Sequence, residues 1–118
     1  MKLYDGGRAP NPRRTRIFLA EKGIKLPMEQ VDLGAMAQKS PTYAAINPLK
    51  RVPALVLDDG TVITESIAIC RYFEALKPDP PLFGRGALEV ARIECGIGAS
   101  NCICCFRSLM SFATRTRQ

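Results

Sequence analysis

The period of the apolar residues changes several times along the chain, and each change predicts an element. Lys2–Asp5 is a short strand candidate ended by Gly6-Gly7. "APNP" follows as a loop that turns helical only at Pro12, a residue tolerated in a first helical turn. From Arg13 the residues Ile17, Leu19, Ala20 and Ile24 recur at helical spacing, with Gly23 placed as a C-cap. Met28–Leu33 alternates like a strand, and "GAMAQKSPTYAAINP" reads as a loop holding a helical turn, closed by Asn47-Pro48. Ala54–Leu57 and Thr61–Thr64 flank Asp58-Asp59-Gly60, a strong hairpin signal. From Ser66 the set Ile67, Ile69, Cys70, Tyr72, Phe73 and Leu76 predicts a well-buried helix that stops before Pro78. "KPDPPLFGRG" resembles a linker, and a new helix is expected near Ala87, with Leu88, Val90, Ala91 and Ile93 around one face.

The order is therefore β-α-β-(α)-β-β-α followed by a helical start. A β-α-β half joined to a β-β-α half is the pattern of the thioredoxin-like α/β sandwich, with a mixed sheet and helices on both faces.

Composition narrows the function. The 118 residues suit one domain with a modest core, and 47% apolar with 24% charged residues is ordinary for a soluble globular chain. The net charge of +6 is uneven, with Arg8, Arg13, Arg14 and Arg16 near the start and Arg107, Arg115 and Arg117 near the end. Such clusters suit nucleic acid or a small anion, but no aromatic single-strand platform and no zinc pattern accompanies them, which disfavours nucleic acid. Because Met1 leads straight into "KLYDGG", no signal peptide is expected, and no apolar run reaches membrane length. Cys70 stands alone, whereas Cys95, Cys102, Cys104 and Cys105 crowd the last quarter. Their C-x-C-C spacing differs from common zinc or redox motifs, and there is no histidine to share a metal, so none is expected. The expected compartment is reducing, hence the cytoplasm.

"INPLKRVPALVLDDGTVITESIAICRYFE", with "APNPRRTRIFLAEKGI" and "PPLFGRG", resembles the N-terminal domain of the glutathione S-transferase family in its bacterial form. The resemblance runs from Met1 to about Glu94. An Asn-Pro pair, a V-P-A-L strand and an E-S helix start in register make it specific.

Pro53 at a strand entry has no N–H for the ladder. The residues alone suit a trans proline that starts a strand. The resemblance implies a cis Val52-Pro53 bond, which would present the Val52 N–H and C=O to the cysteinyl part of glutathione. Ser66 and the free N–H groups of the following helix turn can cap the helix and hold an anion, and Glu65 can meet an ammonium. A γ-glutamyl end carries both charges. Lys39 and Arg51 are candidates for the glycyl carboxylate, or else solvated surface cations. Lys50 stands where the family often has glycine.

Family members activate the glutathione thiol with a Ser, Tyr or Cys near the start of the first helix, because the thiolate is the attacking species. Here that region is Ala9-Pro10-Asn11-Pro12. Asn11 is its only side-chain donor, assisted by the helix dipole and by Arg13 or Arg14, or else it is a plain turn residue. Tyr4 sits inside the first strand. Cys70 reads as core, and Asp58-Asp59 as a turn.

The resemblance divides the chain into a thioredoxin-like domain (1–77), a linker (78–86) and a truncated remnant of a helical second domain (87–118). After Glu94 the helical pattern is lost and Cys and Ser accumulate. With one choice of degenerate third bases, inserting a single A after the Glu94 codon converts the tail to EMWNRRVELHLLLPVAHELRHTHPA, whose charged and apolar residues fall at helical spacing. The tail is thus expected to be out of frame, with a genuine divergent tail as the alternative.

The expected function is binding of glutathione as co-substrate and activation of its thiol for attack on a hydrophobic electrophile, in a truncated chain that lacks the electrophile pocket and is therefore expected to be nearly inactive by itself. The resemblance also implies a homodimer, here in doubt because family dimers use both domains. The alternative is a non-enzymatic glutathione-transferase-like binding protein, a chaperone or transcription-associated partner. A third reading, a nucleic-acid binder, predicts steeply salt-dependent affinity.

Overall fold

The computed structural model describes the backbone of residues 1–106 and the side chains of 1–99. The elements are β1 (Lys2–Asp5), α1 (Pro10–Lys22), β2 (Met28–Gln30), a 3-10 turn (Ala37–Lys39), α2 (Pro41–Ile46), β3 (Ala54–Val56), β4 (Val62–Thr64), α3 (Ser66–Leu76) and α4 (Ala87–Phe106). Residues 1–80 form one compact unit, and a second unit begins at Pro81.

In the first unit the strand order is β2-β1-β3-β4. β1 runs parallel to β2 and antiparallel to β3, and β3 pairs antiparallel with β4. This is the mixed sheet of the thioredoxin-like fold. Alternation along the strands divides the core. Leu3 and its partner Leu55 pack with Leu19 of α1 and with Ile69 and Phe73 of α3. Tyr4 and its partner Ala54 face the other side, with Val31 and Tyr43. Fully burying one such leucine contributes about 1.5–3 kcal/mol.

Local sequence explains most of the punctuation. Gly23 closes α1 at φ 66°, donating to the Ala20 carbonyl at 3.0 Å while Ile24 donates to Leu19 at 2.9 Å. A side chain in that left-handed conformation would be strained. The β3–β4 hairpin closes through the Leu57 N–H to the Thr61 carbonyl at 2.8 Å, with Gly60 at φ 85°. The Thr61 N–H donates to Asp59 Oδ1 at 2.8 Å and holds that carboxyl below its ordinary pKa. Asp58-Asp59 is therefore a turn.

Five sequence expectations are corrected. Of the apolar face expected on α1 only Leu19 is buried; Ile17 and Ala20 are exposed, and Thr15 and Lys22 are buried in their place. Helix α1 begins at Pro10, ahead of the expected onset. N–H groups of a first turn have no intrahelical acceptor, so prolines at its first and third positions remove nothing the helix needs. Strand β2 stops at Gln30 and not Leu33, and all three of its residues are exposed. Ser66 is the first helical residue of α3, whereas Glu65, at φ 72° and ψ 126°, is the cap and makes no side-chain capping bond. In the second unit α4 continues past Glu94 to Phe106. Helical backbone bonding there persists without an apolar stripe, and Leu88 is 65% exposed. The arginines and serines after Phe106, and the side chains of Cys102, Cys104 and Cys105, lie outside the described residues.

Candidate functional site

Helices α1 and α3 lie side by side on one face of the sheet, packed through Leu19, Ile69 and Phe73. Their N-terminal turns are joined by Arg14. Its Nη1 donates to Ser66 Oγ at 3.2 Å and to Asn11 Oδ1 at 3.4 Å. Asn11 and Arg14 are three residues apart on α1, so their side chains share a face. Arg13, the other cation considered in that turn, is exposed. Because Oδ1 of Asn11 accepts from Arg14, its amide nitrogen is left to donate elsewhere.

The first turn of α1 is poor in donors. Pro10 and Pro12 have no N–H, and the Arg13 N–H already bonds to the Ala9 carbonyl at 3.2 Å. Asn11 is the single residue of that turn with a backbone N–H free of helical partners. Ser66 is 4% exposed, and the first turn of α3 leaves its own N–H groups without intrahelical acceptors. The two turns with Arg14 make a positive, hydrogen-bonding surface suited to an anion.

The Val52-Pro53 bond is cis, as the family resemblance implies. Pro53 is buried at the entry to β3, and Val52 is half-buried. A Cβ on Gly6 would lie 2.5 Å from Val52 Cγ2 and 3.3 Å from Pro12 Cγ, which puts Val52 beside the start of α1. The turn ahead of Val52 is built on Asn47, which is 2% exposed. Its Nδ2 donates to the Arg51 carbonyl at 2.8 Å, and its Oδ1 accepts from the Leu49 N–H at 3.0 Å. The Tyr43 hydroxyl donates to the same Arg51 carbonyl at 2.6 Å. Lys50 takes φ 56°, which accounts for glycine suiting that position.

Asn11, Ser66 and Val52 are thus gathered around the paired helix starts, and Glu65 is exposed next to Ser66. The Lys39 and Arg51 side chains are exposed, and no hydrogen bond or ion pair ties either to this set among the described residues. Sequence reasoning missed Asn47, whose Asn-Pro motif was legible without its bonds. It also left Arg14 undistinguished from Arg13, although its spacing from Asn11 was a usable signal.

Cys70 is 2% exposed, and burial raises its thiol to about 11, partly opposed by the nearby Arg14 charge. It is a core residue at neutral pH. An open groove of about 640 Å³ lies beside the start of α1, lined by Gly6, Gly7, Arg8, Gln30, Asp32 and Leu33 among others. A cavity of about 150 Å³ between Tyr4 and Tyr43, on the α2 side, contains none of the predicted site residues.

The sheet order, the helices on its two faces and the cis proline ahead of β3 define a thioredoxin-like domain. The family model of the glutathione S-transferase N-terminal domain matches residues 9–76, and the chain belongs to the glutathione S-transferase family. It is 40% identical over 102 residues to maleylacetoacetate isomerase of Pseudomonas aeruginosa, covering 84% of this chain and 47% of that protein. Gtt2 from Saccharomyces cerevisiae superposes with a TM-score of 0.74 at 40% identity, covering 80% of this chain and 46% of that one. A glutathione transferase homologue from Sulfitobacter, solved with bound glutathione, gives a TM-score of 0.76 at 30% identity over 81% of this chain and 46% of that one. The chain spans about half the length of these relatives.

Proposed function

We propose that the first unit binds glutathione across the paired starts of α1 and α3 and lowers the pKa of its thiol for attack on an electrophile. The observation that carries this reading is the Arg14 bridge between Asn11 and Ser66. In this reading Ser66 and the first-turn N–H groups of α3 receive the γ-glutamyl carboxylate, and Glu65 receives its ammonium. The Val52 backbone pairs with the cysteinyl residue, and Lys39 or Arg51 meets the glycyl carboxylate. The sulfur then rests at Asn11, where the backbone N–H and the side-chain amide stabilise the thiolate. A hydrogen bond to a charged group is worth about 1.5–3 kcal/mol. One such donor therefore lowers a thiol pKa by roughly 1–2 units.

The electrophile occupies the groove beside Gly6 and Arg8. A thiolate held there serves conjugation, and it serves isomerisation by reversible addition to an unsaturated acid, the chemistry suggested by the Pseudomonas relative's name. A cytoplasmic location belongs to this proposal, and the family's homodimer, which uses both domains, does not. No helix among the described residues is long and apolar enough to cross a membrane.

A second reading is a glutathione-binding protein without turnover. The absence of any hydroxyl or thiol from Ala9 to Pro12 favours it. Retention on immobilised glutathione with elution by free glutathione, followed by conjugation and isomerisation assays, separates the two. Binding with turnover supports the first reading, binding alone supports the second reading or a truncated enzyme, and no binding sinks both.

A further inference from the structure

The end of β1 carries a buried carboxylate that the ligand site does not use. Asp5 is 1% exposed, and Arg16 Nη1 donates to its Oδ1 at 2.6 Å. Gln30 Nε2 donates to Oδ2 at 2.6 Å. The other arm of the guanidinium, Arg16 Nη2, donates to the Gly7 carbonyl at 2.7 Å. The main chain adds the Val31 N–H, which donates to the Asp5 carbonyl at 2.7 Å. A planar fork holds two acceptors in one fixed geometry, which a single ammonium cannot do.

What this fork holds is the loop that feeds the donor-poor turn of α1. Gly7 sits at φ 55°, and the Ala9 N–H returns to the Gly6 carbonyl at 3.1 Å. Gly6 is wedged so closely against Val52 and Pro12 that a Cβ there has no room. The next residues are Pro10, Asn11 and Pro12, so a small movement of the loop moves the only free N–H of the turn. In a site with a hydroxyl the side chain could adjust by rotating. A backbone N–H has no such freedom, and its direction depends on what anchors the loop.

We propose that the Arg16–Asp5 pair, with Gln30, is a positioning unit for the thiol site: it fixes Gly6–Ala9 and thereby aims the Asn11 donors at the glutathione sulfur. The inference rests on the glutathione reading above. Arg16 acts through the loop and does not touch the ligand. A merely structural pair would change stability and leave the bound thiol's pKa where it was.

The test uses the full chain with Arg16→Lys and Gln30→Met, the second being an exposed position that leaves the ion pair intact. Two readouts are needed: the pKa of bound glutathione from thiolate ultraviolet absorbance, and amide exchange across Gly7–Asn11. Arg16→Lys is expected to raise the bound thiol's pKa by about one unit, a tenfold change in proton affinity. It is expected to speed exchange of the loop amides by about tenfold, with glutathione affinity close to that of the unchanged protein. Gln30→Met is expected to shift both in the same direction by less. Unchanged loop exchange in both variants overturns the positioning role whether or not glutathione binds. Faster exchange with an unchanged bound-thiol pKa overturns the link to the sulfur. Failure of the unchanged chain to bind glutathione sinks the reading of the site, and the thiol half of this inference with it, while loop exchange still decides the first half.

Discussion

Arg14 Nη1 lies 3.2 Å from Ser66 Oγ, across 52 residues of sequence, and the same nitrogen reaches Asn11 Oδ1 at 3.4 Å. One cation thus couples the proposed carboxylate end of the site to the proposed thiol end. Replacing it with methionine keeps the packed stem and removes the charge. Arg14→Met is expected to weaken glutathione binding about tenfold, equivalent to roughly 1.4 kcal/mol. Calorimetric titration reads the affinity, and a thermal melt run beside it should show less than about 1 kcal/mol of lost stability, the scale of partly buried hydrogen bonds. Unchanged affinity would remove Arg14 from the site.

The left-handed Lys50 gives a prediction of opposite sign. A non-glycine residue in that conformation costs about 1 kcal/mol. Part of this is offset because glycine loses more backbone freedom on folding. Lys50→Gly is expected to raise stability by about 0.5 kcal/mol in denaturant titration, with no loss of glutathione affinity. Destabilisation would mean that the lysine side chain has a stabilising role of its own. By contrast, Asn47→Ala leaves the Arg51 carbonyl and the Leu49 N–H short of partners, and about 1–3 kcal/mol should be lost.

These two neighbours mark the limit of what the sequence discloses. The Asn47-Pro48 breaker, the Gly23 cap and the Asp58-Asp59-Gly60 hairpin were legible because each is decided by a few adjacent residues. The core face of α3 was legible from its period through Ile69, Cys70 and Phe73, whereas on α1 the period found only Leu19, because Thr15 and Lys22 are buried there and Ile17 is exposed. The start of α1 was placed late because its prolines read as breakers, although a first turn tolerates them. Ser66 read as a cap because hydroxyl residues favour that position. In the structure the turn is made by the Glu65 backbone, which frees the Ser66 hydroxyl to accept from Arg14. Asp5 and Arg16 gave no signal, since a charged pair eleven residues apart meets only once α1 folds back over β1.

Cys70 contributes to the alkaline pH dependence of stability. Its thiol rises from 9.0 to about 11 in the folded chain, chiefly through burial. The unfolded thiol ionises first, so the folded state holds more protons between those values and stability falls as pH rises through them. Below about pH 9 the contribution is fully present. Cys70→Val is expected to show a shallower loss of stability between pH 9 and 11, measured by denaturant titration. An identical slope would contradict the assignment.

The tail carries a prediction at the level of the gene. We propose that residues after Glu94 are read one base out of frame from a helical second domain. Resequencing the nucleotides around the Glu94 codon is expected to show that a one-base correction opens a long helical reading frame. If no such correction does so, Cys95–Gln118 is a genuine tail.

The central claim is that glutathione binds across the starts of α1 and α3, beside Val52. A titration of the ¹⁵N-labelled chain with glutathione, followed amide by amide, tests it most directly. The largest shifts are expected at Asn11, Val52, Ser66 and Ile67, with Arg14→Met reducing them together. No saturable shift, or shifts gathered around Tyr4 and Tyr43 with these four unmoved, would contradict it.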